Sequence, residues 1–218
     1  FIVLHEIVVA DMLRKGEINA ISAVPSLWRI LLESRAMFED IGKGVRWIEI
    51  GSQYMSREEK LAVRGLFPNA KIVQHYGLTE ASRSTFLEIH ATDGPHLESV
   101  GKAYGDVEVG LTDDGRIKIR GPHVATRLWV EGEPRPAVDA EGWYATGDLM
   151  RRDPEGFFYF VGRADNMFTC GGENIYPAEI EQVVGGCVTQ AGEQSNNLTR
   201  VAWLSRNKGW RTGGTTID

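Results

Sequence analysis

Across roughly the first 95 residues, apolar runs of strand length alternate with stretches whose apolar residues recur every three or four positions. Val9, Met12 and Leu13 share a helical face, and Gly16 supplies a stop because a residue just past a helix end adopts a positive φ at no cost to glycine. Ile18 to Val24 reads as a strand closed by Pro25, and Leu27, Ile30 and Leu31 form the next helical face. Val45 to Ile50 is a second strand. Ser56 followed by Glu59 is a capping box that opens a helix through Leu66. Lys71 to Gln74 is a third strand, running into Tyr76-Gly77. Strands separated by helices favour a parallel sheet whose ligands gather at the strand ends.

From about Val100 the texture becomes short strands and glycine-bearing turns. Val107–Leu111 and Arg116–Arg120 flank Thr112-Asp113-Asp114-Gly115, a hairpin signal. Asp153-Pro154-Glu155-Gly156 carries type I turn residues ahead of an apolar run, Phe157 to Val161. Pro177 to Glu181 reads as a helix start, with Pro and acids in the first turn. The expected architecture is α/β: a partial parallel subdomain over residues 1–97, a small antiparallel β-barrel over 98–163, and a hinge with the start of a small α+β domain over 164–184. Residues 185–218, rich in Gly, Asn, Thr and Ser without a sustained period, are expected to be disordered or foreign to the fold.

Composition narrows the partners. A net charge of −6 without long runs of either sign argues against nucleic acid or an anionic membrane surface, which call for basic patches. No apolar stretch approaches the roughly 20 residues that span a bilayer. The two cysteines, Cys170 and Cys187, form no metal-ligand pair, and a reducing cytoplasm is the expected compartment. His5, His90, His96 and His123 show no ligand spacing. The chain starts at Phe1 with no signal-peptide pattern, and the expectation is a piece of a larger protein.

Three short segments carry chemistry. Gln74-His75-Tyr76-Gly77-Leu78-Thr79-Glu80 offers an aromatic face for a flat base, a glycine for close approach, a hydroxyl for a phosphate oxygen and a carboxylate for a hard cation. A strand ending in a polar loop is the plainer reading of the same residues. In Thr146-Gly147-Asp148-Leu149, the carboxylate suits a ribose diol, or is only an aspartate in a turn. Gly162-Arg163-Ala164-Asp165, with Gly171-Gly172-Glu173-Asn174-Ile175-Tyr176-Pro177 beyond it, offers a permanently charged guanidinium and flexible glycines, or simply a domain junction.

Taken together, the order, spacing and wording of the three resemble the adenylate-forming superfamily of acyl- and aryl-CoA synthetases, peptide-synthetase adenylation domains and luciferases. Tyr76 to Glu80 matches its YGxTE loop, Thr146 to Leu149 its TGDL motif, and Gly162 to Glu181 its GRxD…GxxIxPxEIE stretch, so that residues 1–184 are covered. The last stretch is worded most like CoA ligases. The resemblance implies ATP-dependent activation of a carboxylic acid as an acyl-adenylate, then transfer to CoA, with Mg2+ as cofactor. It implies that Tyr76 stacks on adenine, Gln74 contacts its edge, and Gly51 and Gly77 lie beside the nucleotide. Thr79 would bind the α-phosphate, Glu80 the magnesium, Asp148 the ribose hydroxyls and Arg163 ribose or phosphate. Asp165 would be the hinge, and Gly171 and Gly172 would border the thiol tunnel. A carrier-protein thiol in place of CoA, or a nucleotide-binding piece without turnover, are the competing readings.

The chain departs from that pattern at both ends. The family's Ser/Thr/Gly-rich phosphate loop and its C-terminal lysine motif are absent, and Lys208 does not match the latter. The 218 residues alone are therefore expected to adenylate slowly or not at all. An aliphatic or aryl acid is expected over an amino acid.

Overall fold

The computed structural model describes residues 2–51, 53–166, 168–170 and 173–175. The chain divides into two compact units, Phe1–Phe160 and Val161–Asp218. The first begins with α1 (Ile2–Arg14), β1 (Ala20–Ala23), α2 (Pro25–Glu33), β2 (Trp47–Ile50), α3 (Arg57–Leu66), β3 (Lys71–Leu78), β4 (Ala81–Glu88) and β5 (Lys102–Ala103). The strands form one sheet in the order β1-β2-β3-β4-β5. β1, β2 and β3 run parallel, as the helix–strand alternation predicts, whereas β4 and β5 are antiparallel because a tight hairpin follows β3 directly.

Local chemistry sets the helix ends. Gly16 has φ +70°, and the backbone amides of Gly16 and Glu17 return to the carbonyls of Leu13 and Met12, closing α1. The Ser56 hydroxyl accepts from the Glu59 amide at 3.2 Å, and the Glu59 carboxylate accepts from the Ser56 amide at 2.7 Å, which completes the capping box of α3. Ser56→Ala is expected to cost about 1 kcal/mol, read as a lower midpoint in urea with an unchanged slope. Glu59 also takes Arg29 Nε of α2 at 2.6 Å, tying two helices together.

Trp28, Leu31, Phe38, Ile48, Ile50, Met55, Phe67 and Ile72 are fully buried in the core beneath this sheet, with Trp28 edge-on to Phe67 at 5.8 Å.

The rest of the first unit contains β6 (Glu108–Leu111), β7 (Arg116–Arg120), β8 (Arg127–Val130), β9 (Glu133–Pro136), β10 (Tyr144–Arg152) and β11 (Phe158–Arg163), the last running on into the second unit. β11-β10-β7-β6 make a four-stranded sheet, and β8-β9 a separate hairpin. β6 and β7 turn at Thr112–Gly115, where Gly115 has φ +81°, as the sequence predicts. Ala81, Ile117, Ile119, Val124, Met150 and Phe158 form a second core, and Tyr76 and Leu78 pack against it. β3 thus begins in one core, at Ile72, and ends on the other.

In the second unit, Ala164–Asn166 is a single 3₁₀ turn, followed by the antiparallel pair β12 (Phe168–Cys170) and β13 (Glu173–Ile175). The helix start expected at Pro177 and the expected tail 185–218 lie outside the described residues. Among the described residues, no helix is long and apolar enough to cross a membrane.

Candidate nucleotide site

β3 places Gln74 and Tyr76 on one face and His75 and Gly77 on the other, because side chains alternate along a strand. The motif does not form the loop that its composition suggests. Tyr76 and Gly77 are inside the strand, and only Thr79 and Glu80 make the turn into β4. Gly77 is required there: a Cβ would stand 2.3 Å from the Arg83 amide nitrogen, where the ladder shifts register. Asp148 likewise sits in a strand, β10, and not in a turn; the β10–β7 ladder shifts register between Ala145 and Leu149.

Tyr76 and Asp148, 72 positions apart and on different sheets, meet directly: Tyr76 Oη donates to Asp148 Oδ2 at 2.6 Å. Asp148 is largely buried, and its backbone amide donates to Thr146 Oγ1 at 3.0 Å. Both side chains line a cleft of about 250 Å³, together with Gln53, Tyr54, Lys60 and Gln74. Gln74 is 3% exposed, and its Oε1 has no hydrogen-bond partner among the described residues. A buried amide oxygen without a donor forfeits about 1–3 kcal/mol, so a ligand donor at this position would be well rewarded.

Gly51, at the end of β2, touches this cleft through His75. A Cβ there would come within 2.3 Å of the imidazole Cε1 and Nε2, so the glycine leaves room for the ring. His75 Nδ1 lies 3.2 Å from Glu49 Oε1, which also takes Arg83 Nε at 2.6 Å. Burial pushes the His75 pKa down and Glu49 works against that shift. Glu49 itself is held below the usual carboxylate range by its bond to Arg83.

Thr79 is exposed and Glu80 half-buried, and neither lines the cleft; the Glu80 carbonyl accepts from the Ala125 amide at 2.8 Å. Among the described residues no group of three or more His, Cys, Asp or Glu is arranged to hold a metal. A lone carboxylate such as Glu80 nevertheless suits magnesium, which takes one or two carboxylates and completes its shell with phosphate oxygens and water. In the second unit, Arg163 pairs side-on with Asp165, Nε to Oδ1 at 2.9 Å and Nη2 to Oδ2 at 2.8 Å. Gly171 and Gly172 lie outside the described residues. Lys60, which sequence reading passed over, lies in the cleft lining; its signal was a lysine three positions before Val63 and seven before Phe67, on the stripe α3 buries.

The family model for AMP-binding enzymes matches residues 3–134, well over half of the chain. The chain belongs to the AMP-binding enzyme family. The chain is 32% identical over 179 residues to a 2-succinylbenzoate–CoA ligase of Listeria monocytogenes, covering 81% of itself and 37% of that protein. It is 44% identical over 147 residues to an indoleacetate–CoA ligase of Aromatoleum aromaticum, covering 62% of itself and 27% of the relative. Among solved structures, it superposes on o-succinylbenzoate CoA synthetase from Bacillus subtilis in complex with the acyl-adenylate intermediate, with TM-score 0.71 and 29% identity over 83% of this chain and 38% of that one. The same Bacillus enzyme in complex with ATP and magnesium gives TM-score 0.69. The chain therefore spans little more than a third of the length of the 2-succinylbenzoate–CoA ligases it matches.

Proposed function

We propose that this chain is the nucleotide-binding part of an acid–CoA ligase, which joins an aromatic carboxylate to ATP as an acyl-adenylate and passes the acyl group to CoA in a reducing, cytoplasmic setting. The observation that carries this reading is the meeting of Tyr76 and Asp148 in one cleft beside Gln74 Oε1, which has no hydrogen-bond partner among the described residues. One adenosine satisfies all three. The base stacks on the Tyr76 ring, its exocyclic amine donates to Gln74 Oε1, and the ribose diol donates to the Asp148 carboxylate.

In the proposed first half-reaction, an oxygen of the acid attacks the α-phosphorus and pyrophosphate leaves. Thr79 donates its hydroxyl to an α-phosphate oxygen, and Glu80 supplies a carboxylate to magnesium. The metal, when bound, offsets negative charge on the phosphates. The thiol of CoA then displaces AMP. The choice of an aromatic acid follows the named substrates of the relatives, 2-succinylbenzoate and indoleacetate.

The test is exchange of labelled pyrophosphate into ATP by the protein that carries this chain, offered 2-succinylbenzoate, indoleacetate and simple benzoates. Acid-dependent exchange, followed by thioester formation on adding CoA, is expected. Exchange with amino acids alone would overturn the reading.

A further inference from the structure

Lys60 is a cation in a place where an apolar residue would serve the fold better. It is 1% exposed on α3, in line with Val63 and Phe67 of the core. Burying a charge costs several kcal/mol unless it is paired. Among the described residues, Lys60 Nζ meets no carboxylate at hydrogen-bond distance: it donates to the main-chain carbonyls of Leu97 at 2.5 Å and Ser99 at 3.0 Å. A methionine of the same length would continue the stripe without that penalty.

The two carbonyls bracket Glu98, and the Glu98–Val100 segment lines the cleft alongside Gln74, Tyr76 and Asp148. The same segment is held from other sides as well. Thr85 Oγ1 donates to the Val100 carbonyl at 2.6 Å, the Val100 amide donates to Phe158 O at 2.8 Å, and Ser99 Oγ donates to His96 O at 2.6 Å. Lys60 is the tie from the helix side.

We propose that Lys60 is a positioning residue of the purine cleft, whose amino group caps the Leu97 and Ser99 carbonyls and so holds the Glu98–Val100 segment where a bound purine ring packs. This rests on the nucleotide reading above. The two acceptors match the two N–H groups of a neutral amine, and burial pulls the lysine pKa down to about 7, against the opposing pull of Glu98 and Glu59. The other titratable groups in the cleft lining are Tyr54, His75, Tyr76 and Asp148. In the unfolded chain the lysine stays protonated to about pH 10.4. Between pH 7 and that value the unfolded state binds the extra proton, so this group makes stability rise with pH and costs most below pH 7.

The experiment compares Lys60→Met with the wild-type 218-residue chain, by calorimetric titration with AMP and by thermal unfolding at pH 6 and pH 9. AMP affinity is expected to fall tenfold or more at both pH values. The unfolding midpoint at pH 6 is expected to equal or exceed that of wild type, and this advantage shrinks at pH 9. If the Met variant does not fold, Lys60→Gln, too short to reach both carbonyls, carries the same expectation. AMP affinity within twofold of wild type overturns the proposal. So does a lower affinity accompanied by a lower midpoint at pH 6, which marks a lysine that serves stability alone. No AMP binding by the wild-type chain would instead remove the nucleotide reading beneath it.

Discussion

Asp148→Ala is expected to weaken AMP binding by two orders of magnitude or more. The carboxylate is 9% exposed and already accepts from Tyr76 Oη at 2.6 Å. A ribose diol would add two further bonds to a charged acceptor, each worth about 1.5–3 kcal/mol. Losing both amounts to about 3–6 kcal/mol, a factor between about 10² and 10⁴. The alanine also removes the acceptor of the Tyr76 hydroxyl, which loosens the surface on which a base would stack. Asp148→Asn separates charge from shape. Its amide oxygen still accepts, but its NH2 faces a hydroxyl or the Tyr76 phenol as a donor, and a loss of about tenfold is expected. Calorimetric titration with AMP reads both, with circular dichroism to confirm folding. An affinity for Asp148→Ala within threefold of wild type would remove the aspartate from the site.

Gly101→Ala should have the largest effect on folding. Gly101 has φ +89°, and a Cβ there would stand 1.9 Å from the Phe86 carbonyl oxygen and 2.1 Å from its carbon. Both are main-chain atoms of β4, so no side-chain rotation relieves the overlap. The positive φ alone costs an L-residue about 1–2 kcal/mol. With the overlap, a loss above about 4 kcal/mol is expected, a large fraction of the stability of an ordinary domain. Gly105→Ala is the control: φ is +62° but no atom of the described residues beyond its chain neighbours lies within 4 Å of the added carbon, so a loss of only about 1 kcal/mol is expected. Urea titration of the two variants reads the difference, and equal losses would mean that the approach to Phe86 is harmless.

What could be read from the sequence was whatever depends on near neighbours. The capping box of α3 needs only Ser56 and Glu59, the α1 stop only Gly16, and the β6–β7 turn only Thr112 to Gly115. All three are present as expected. The surroundings of the nucleotide motifs were less legible. Tyr76-Gly77 has the composition of a loop, but pairing of Tyr76 with Thr85 keeps it in a strand. That pairing depends on β4, whose Ala-Ser-Arg-Ser-Thr opening gives no clear alternation. Arg83 hides the reason: it adopts φ +56°, a conformation its residue type does not advertise, where the hairpin shifts register. For Asp148 the local sequence allows either a ribose-binding carboxylate or a turn aspartate, and the irregular ladder of β10 keeps it and its neighbouring glycine within the strand. Gln74, Tyr76 and Asp148, which the motif wording singles out, line one cleft. Lys60 has no such wording, and its burial follows from where Leu97 and Ser99 come to lie, 37 and 39 positions away.

Tyr76 belongs to the five-stranded sheet and Asp148 to the four-stranded one, so the bond between them exists only when the two sheets are seated against each other. A ligand that engages both residues gains its full contact energy from the seated arrangement alone, and mass action then favours that arrangement. Nucleotide would act as a clasp across the seam. Slower amide exchange on β3 and β10 together, on adding AMP, would be its signature.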